Sequence, residues 1–553
     1  MSNRKNVIKG WLKRFRWMPL VAAGALGSLF LPIPGSAQTR PVFEGIGTHS
    51  GGACVTGSTV AATATTPETA SFVLTAAPGY ISTPDGNSVF MWGYASGNAG
   101  FQYPGPVLCV NEGDKVTITL KDTLPVSTSL VFPGLTKVLA DGQPVSLDVA
   151  SGSFAKPAPT GGAVTYQFTA GDPGTFLYES GTNPELQVRM GLAGALIVRP
   201  ALENQYNAFA TGVAGATNPC ANDPVLSGTT GTLQQNIAAQ EIKKRQAAGL
   251  AQNPPQPYLN FVYDQKSPAD PAGGCSTAFN AATEFMHLLS EIDPHMHHAI
   301  EVQTCMPIST ANGGPACTPV ADPTYNMTTY LPRYFFINGR SFPDTVTPNY
   351  SNSIPTQPYG SLVHVIPFWN SLSDRPEDFN PLPATVRFLN AGPVNYPFHP
   401  HSNHDESIGA DGRIFLNPTG GVAGAPVNTS IDRFGYVVAP GQTTEALFSW
   451  TDAQKWSPDS NPIGVVAPSA VNRADGPYWS GSPYLGVKLP LLNGITQWNQ
   501  CGEYYHFAHS HDLVHVTNYG APGGGMLTLI RVDPPPSLRT KYGTSCDGGP
   551  GWN

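Results

Sequence analysis

The sequence predicts an all-β protein built of packed β-sandwiches, and three observations carry that expectation. Glycine (59) and proline (55) together make up about a fifth of the 553 residues, too much punctuation for a helical chain. Hydrophobic residues stand at 41 %, too many for a disordered chain, while charged residues are only 12 %. Short runs of alternating polar and apolar residues, the mark of a half-buried strand, recur between turn sequences.

The chain opens on Arg4, Lys5, Lys9, Lys13, Arg14 and Arg16, followed by an apolar run from Met18 to Leu31 and the small residues Gly35-Ser36-Ala37. That order reads as a secretory signal over residues 1–37, which implies export to the periplasm or the outside of the cell. Phe15 separates Arg14 from Arg16, so there is no twin-arginine pair. An uncleaved anchor is the alternative, but the run is short for a membrane span and Pro32 and Pro34 end it. No other stretch reads as a span. The formal charge is −8; without residues 1–37, which hold six positive charges and no negative one, 23 basic residues face 37 acidic ones, a balance of −14. Such a surface repels nucleic acid and attracts cations, and neither a basic stripe nor a phosphate loop is present. Metal ions are the partners the composition favours. Nothing in the sequence specifies an oligomeric state.

The eight cysteines all follow residue 37, and an even count in an exported chain reads as disulfides. Sequence alone does not fix connectivity; a provisional pairing joins Cys54–Cys109, Cys220–Cys275, Cys305–Cys317 and Cys501–Cys546. No C-x-x-C occurs, so a cysteine-based zinc or redox motif is not expected.

In chain order, residues 38–70 form a Thr/Ala/Gly-rich lead-in. Strands are expected at Phe72–Leu74, Val89–Trp92, Val107–Val110, Lys115–Leu120, Val164–Phe168, Thr175–Tyr178 and Gly194–Val198, which make one sandwich over residues 71–200. Residues 201–256 break the texture: Leu233 to Leu250 predicts a helix, and Asn253-Pro254-Pro255 ends it. A second β region over 257–535 carries strands near Tyr258–Tyr263, Phe285–Leu289, Arg333–Ile337, Thr385–Leu389, Tyr436–Val438, Glu445–Trp450, Tyr504–His509 and Met526–Val532, with a tail at 536–553. No repeat of fixed period appears.

The chemistry concentrates in histidines. Four of the thirteen lie within ten residues, His506, His509, His511 and His515. His509 and His511 alternate, so on a strand they share a face. A second His-x-His, His399 and His401 with His404 close behind, stands about a hundred residues earlier. Imidazole is the commonest ligand for zinc, copper, iron and nickel. The ordinary alternative is a pair of polar, histidine-rich loops. Asp293-Pro294-His295-Met296-His297-His298 is a third cluster, read as a solvated loop. His364 reads as a packed strand residue. Glu185 and Arg189 read as a surface ion pair.

These residues bring in a resemblance. Pro104-Gly105-Pro106, Gly113-Asp114-Lys115-Val116, Gly174–Gly181 and Gly191–Val198 resemble the first domain of the multicopper oxidases. Ile337-Asn338-Gly339-Arg340, Arg387–Gly392, Ala410-Asp411-Gly412 and Val438–Thr443 resemble a later one. The resemblance implies two, or at most three, cupredoxin-like Greek-key domains and copper as the cofactor, with zinc or another divalent ion as the alternative. It also implies four histidine motifs. At the first two this chain has Val131 and Pro133, then Glu179 and Gly181. The third keeps His399 and His401 but has Tyr396 for its first histidine. The fourth keeps His509, His511 and His515 but has Ser510 for its cysteine. A blue-copper centre needs a thiolate with two imidazoles. The resemblance therefore implies a divergent member: a copper-dependent oxidoreductase of altered type, a copper-binding protein without turnover, or a structural subunit. The expected metal set is His399, His401, His404, His509, His511 and His515. Glu179 joins it as a carboxylate standing where a histidine is implied, with an ion pair to Arg189 as the alternative.

Overall fold

A computed structural model describes residues 54–56, 58–60, 69–149, 151–210, 215–221, 259–264, 273–280, 283–305, 318–365, 383–401, 404–417, 420–421, 427–448, 464–466, 496–498 and 504–532. The signal stretch, the helix expected over 233–250 and the expected Cys501–Cys546 pair lie outside them.

The protein is all-β. Its first region holds β1 (Cys54–Thr56), β2 (Ser58–Val60), β3 (Thr69–Ser82), β4 (Ser88–Ser96), β5 (Val107–Asn111), β6 (Lys115–Asp122), β7 (Ala163–Thr169), β8 (Gly174–Glu179) and β9 (Ala193–Arg199). One sheet runs β1-β5-β9-β8; the other runs β2-β3-β6-β7, with β4 on β3 and the short hairpin at 139–144 beyond β7. Along β6, Val116, Ile118 and Leu120 are buried while Lys115 and Lys121 are exposed, the alternation its sequence predicts. Those residues meet Leu108, Val110, Phe176, Tyr178, Leu196 and Val198 of the other sheet in one core.

The second region holds β10 (Leu259–Phe261), β11 (Ala278–Asn280), β12 (Glu284–Ile292), β13 (Tyr334–Ile337), β14 (Val363–Val365), β15 (Ala384–Asn390), β16 (Tyr396–Pro400), β17 (Asp405–Ala410), β18 (Tyr436–Val438), β19 (Thr443–Phe448), β20 (Tyr504–Ser510) and β21 (Leu527–Val532). A nine-stranded sheet contains β17-β19-β15-β12-β13, and a five-stranded sheet runs β14-β21-β20-β16-β18. Phe285, Val386, Phe388 and Ala446 from the first meet Phe398, Tyr436, Ala508 and Ile530 from the second in another core. Between the two regions Val107, Leu177 and Ile197 pack on Met286, Leu288 and Leu389.

Two helices depart from the sequence reading. Ala201–Ala210 (α1) follows β9 directly. Pro294–Gln303 (α2) takes in the residues read as a solvated loop: Asp293 caps it by accepting from the His295 amide, and Pro294 sits in its first turn. Helical turning buries Met296 and His297 and leaves His295 and His298 outside. The disulfides Cys54–Cys109 and Cys220–Cys275 are present as paired from sequence. Cys305 is also disulfide-bonded; Cys317 lies outside the described residues. No helix among the described residues is long and apolar enough to cross a membrane.

A buried ion cluster crosses the seam. Glu284, at the start of β12, accepts from Arg199 of β9 at 2.8 Å and from Arg387 of β15 at 2.7 Å. Arg387 also donates to Thr175 Oγ1 of β8 at 3.1 Å. Burial alone would raise the Glu284 carboxyl, but the two guanidiniums outweigh it and hold it below the usual carboxylate range. Glu284→Gln strips Arg387 of its charge partner and leaves Arg199 only Glu203, at 3.8 Å. It should lower stability by about 3–5 kcal/mol, as breaking a buried pair does, and urea unfolding of the two proteins checks this.

Burial also pushes two core histidines down to about 4: His287, whose Nε2 meets the Ser361 carbonyl, and His297, whose Nδ1 donates to the Phe90 carbonyl. Their folded values lie below the ordinary 6.5 or so of an unfolded chain. The stability they contribute is therefore present above that pH and is lost as pH falls toward about 4, on the order of 3 kcal/mol for each. Denaturant midpoints should fall over that window, and His287→Phe should make the slope shallower.

Candidate metal centre

Two neighbouring strands build the site. β16 and β20 pair antiparallel with His399 opposite His509 and Phe398 opposite Ser510. Because side chains alternate, Tyr396, Phe398, Ala508 and Ser510 turn toward the core, and His399, His401 and His509 take the other face. His511 follows β20 and is tied to β16 by its amide, which donates to the Pro397 carbonyl at 2.6 Å. The structure thus brings four of the expected histidines together. Ring centroids lie 4.8 Å apart for His399–His401, 5.0 Å for His401–His509, 5.0 Å for His399–His511 and 5.8 Å for His509–His511.

The hydrogen bonds fix tautomers. A carbonyl oxygen only accepts, so the ring nitrogens that meet one must carry the proton. His399 Nδ1 donates to the Phe434 carbonyl, and His509 Nδ1 donates to the Ser510 carbonyl at 2.7 Å. In their neutral forms both rings therefore present a bare lone pair at Nε2, the arrangement that backbone carbonyls impose on metal-binding histidines. Burial, reinforced by the neighbouring rings, pushes His401 down to about 4, and burial lowers His399 and His509 as well. At neutral pH these three are uncharged donors.

The Nε2 atoms of His401 and His509 stand 2.9 Å apart. Two imidazoles bound to one ion at about 2.0–2.1 Å, at roughly a right angle, have that separation. The donor set and this spacing fit copper, and an all-imidazole set also suits zinc or nickel. Among the described residues no three His, Cys, Asp or Glu side chains already surround a common point. His399 is half-buried and His511 exposed, so both have room to turn in.

The other expected ligands stand apart. His404 is exposed with its ring 5.5 Å from that of Phe434. His515 is buried on the inner side, its ring 4.6 Å from Phe335 and 5.4 Å from Tyr396, with Nδ1 2.8 Å from Ser510 Oγ. Its place in a short 3₁₀ turn, Leu513–Val516, carries it inward and away from His511. Glu179 ends β8 in the other region, and no hydrogen bond or ion pair joins its carboxyl to any described residue. Burial raises that carboxyl. The alternative ion pair with Arg189 is absent too: Arg189 donates to the Glu185 carbonyl and lies over the Tyr330 ring. That bond goes to Glu185's main chain, so the expected Glu185–Arg189 ion pair gives way to it.

The first region is closed where histidine motifs were implied. Val131 and Glu179 do face each other across a backbone bridge. A Cβ at Gly181 would lie 2.5 Å from Val131 Cγ1, so a histidine does not fit there without repacking. Ser129, Ser153 and Thr182 fill the space behind in a hydroxyl triangle of 3.1, 2.8 and 2.9 Å. A cavity at the seam, lined by Pro133, Phe176, Asp411 and Gln442 among others, includes no histidine.

Sequence reasoning missed Phe434, whose carbonyl sets the His399 tautomer, and Glu291, whose Oε2 accepts from Tyr396 at 2.8 Å. The Phe434 contact is made by main chain and leaves no trace in residue type. The available signal for Glu291 was a carboxylate two residues after Leu289 in a strand, 284–292, that is buried throughout.

Comparison with known proteins finds similarity over part of the chain. Residues 83–203 match the sequence profile of the multicopper oxidases. A stretch of 99 residues is 38 % identical to multicopper oxidase MCE of Talaromyces pinophilus, covering 18 % of this chain and 15 % of that protein. Another of 112 residues is 35 % identical to a probable nitrite reductase-hydroxylamine oxidoreductase fusion protein of Kuenenia stuttgartiensis, covering 20 % and 13 %. The matches thus span a small part of each relative. The blue copper oxidase of Nitrosomonas europaea overlays at 15 % identity over 84 % of this chain and 85 % of that one, with a TM-score of 0.42. An overlay that loose transfers no site geometry.

Ser510 Oγ lies beside His515 where the resemblance implies a thiolate, and Tyr396 packs on the same ring where it implies an imidazole. The copper-loaded protein should show no intense thiolate-to-copper absorption. The double substitution Ser510→Cys, Tyr396→His supplies both missing ligands and should turn the copper-loaded protein blue. A colourless variant with copper bound would contradict this reading of the pocket.

Proposed function

We propose that this chain is an exported copper protein whose metal is held by His399, His401, His509 and His511, and that it works as a copper-dependent oxidoreductase without a blue-copper centre. The observation that supports this best is the meeting of His401 and His509 through Nε2 at 2.9 Å, with His509 Nδ1 already committed to a carbonyl. Copper bound there would supply one-electron chemistry. The protein's own part is to keep the rings neutral and aimed: Phe434 and Ser510 hold the tautomers, and the β16–β20 pairing fixes the spacing. Residues 71–200 and 257–535 are read as two cupredoxin-like domains and 201–256 as their linker. Residues 1–37 are read as the export signal, and the disulfides suit the periplasm or the cell exterior.

A second reading, copper binding without turnover, is favoured by one observation. Ser510 and Tyr396 leave the inner pocket without the thiolate through which electrons would enter. Metal analysis with EPR and oxygen uptake on an added reductant separates the two. Stoichiometric copper with uptake supports the oxidoreductase, copper without uptake supports binding alone, and no copper after reconstitution refutes both. His509→Ala/His511→Ala should remain folded and weaken copper binding by at least the 10–100-fold that even supporting groups contribute at metal sites. His404→Ala should bind as the parent does. Retained copper in the double variant would place the metal elsewhere.

A further inference from the structure

The core side of the histidine strands carries a second set of polar groups that the metal centre does not use. Tyr396 is fully buried, and its hydroxyl donates to Glu291 Oε2 at 2.8 Å. Glu291 is 3 % exposed, and its Oε1 has no hydrogen-bond partner among the described residues. The Tyr396 ring packs 5.4 Å from that of His515. His515 Nδ1 meets Ser510 Oγ at 2.8 Å, and Ser510 is bonded through the backbone to His509 and His511. On the other side, the hydroxyl of half-buried Tyr330 reaches the Glu291 carbonyl at 3.4 Å. Rings and hydrogen bonds, the Tyr330 link being a 3.4 Å contact to the Glu291 main chain, thus run from half-buried Tyr330 past Glu291 and Tyr396 to the two strands that hold the histidines.

A buried phenol beside a carboxylate that can take its proton is suited to losing an electron. Oxidation of a phenol makes its proton strongly acidic, and in a low-dielectric core that proton must have an acceptor already in place. We propose that Tyr396 is a redox-active tyrosine that delivers electrons to the copper of the histidine quartet, with Glu291 as its proton acceptor. One electron leaves the phenol and reduces copper(II) to copper(I). The phenolic O–H bond breaks, and the proton moves along the existing hydrogen bond to Glu291 Oε2. What remains is a neutral tyrosyl radical beside a neutral carboxylic acid. A one-electron reductant at the surface refills the ring, and the proton returns to the phenolate oxygen. Burial supports the acceptor role by pushing the Glu291 carboxyl up to about 7, so the carboxylate is a better base than an exposed one.

The inference rests on the copper reading for its electron acceptor, but the tyrosine can be tested without the metal. The metal-free full chain is oxidised with photogenerated tris(bipyridine)ruthenium(III), and the tyrosyl radical is recorded by EPR and absorbance. The wild-type protein should give a radical that is lost in Tyr396→Phe and retained in Tyr263→Phe, since Tyr263 pairs with a different buried carboxylate, Glu445. Glu291→Gln keeps a hydrogen-bond acceptor for the phenol but removes the base, and should also lose the signal. It serves as the second variant should Tyr396→Phe fold poorly. Copper(II)-loaded protein given a one-electron reductant should lose its copper(II) EPR signal, and should do so more slowly in Tyr396→Phe. Absence of any radical, or one of equal yield in Tyr396→Phe and Glu291→Gln, overturns the proposal. Failure to bind copper would remove the copper reading and leave the metal-free result to decide on Tyr396.

Discussion

The arrangement depends on one carboxylate, Glu284, shared by two guanidiniums from different regions of the chain. Two buried arginines without that charge would be untenable, and a lone buried glutamate would be neutral. Together they weld the end of β9 to the start of β12 and the middle of β15, with Thr175 of β8 in the same contact. Glu445 extends the weld: one oxygen accepts from the Thr175 amide and the other from the Tyr263 hydroxyl. The apolar seam of Val107, Leu177, Ile197, Met286 and Leu389 supplies area but little direction. The charges supply the direction, because each Glu284 oxygen meets a different guanidinium at 2.7–2.8 Å. That fixes the nine-stranded sheet against the first region, and the five-stranded sheet with its histidines is built on the other side of the second core.

Much of this was legible in the sequence, and the reasons are physical. Val116, Ile118 and Leu120 announced β6 because a half-buried strand leaves a period of two, while the cysteine pairing was provisional and two of its four pairs are present. The histidine quartet was legible for the same reason: His-x-His on each of two strands places two rings on one face, and adjacent strands place four together. What escaped was whatever depends on turning direction or on main chain. His515 follows His511 by four residues, close enough to suggest one cluster, yet a 3₁₀ turn capped by Asp512 sends it inward. Asp293-Pro294 was a helix start with its cap and its N-terminal proline both in view, but the histidines behind it drew the reading toward a loop. Glu179 was carried over by position alone, and position says nothing about the hydroxyl triangle and Val131 that close that end.

The departures from the pattern that the resemblance implies are not scattered losses. On the inner face of the histidine strands, a missing thiolate and a missing imidazole are matched by Ser510 bonded to His515 and Tyr396 bonded to Glu291. In the first region, Gly181 is small where Val131 and Phe154 press on it. Decay of an unused metal site would be expected to leave unpaired buried groups, and each would be unfavourable. Apart from the Glu179 carboxyl in the first region, most of the polar atoms at these positions have partners among the described residues, and on the inner face one exception is Glu291 Oε1.

That exception bears on how a single strand serves two environments. Alternation along β16 sends His399 and His401 to a face where the rings are half-open, and sends Tyr396 into the core three residues earlier. The outer face favours lone pairs: desolvation and mutual repulsion keep the imidazoles neutral and able to bind a cation. The inner face favours protons: the same desolvation raises the Tyr396 hydroxyl and the Glu291 carboxyl, so the proton they share is held tightly. One physical term, the exclusion of water, thus has opposite consequences for a base that is neutral without its proton and for acids that are neutral with theirs. The sheet separating the two faces is one residue thick, and Ser510 spans it. Its side chain belongs to the inner network, and its carbonyl sets the tautomer of His509 on the outer face. A change at Ser510 therefore acts on both faces at once, through the hydroxyl on one side and the main chain on the other.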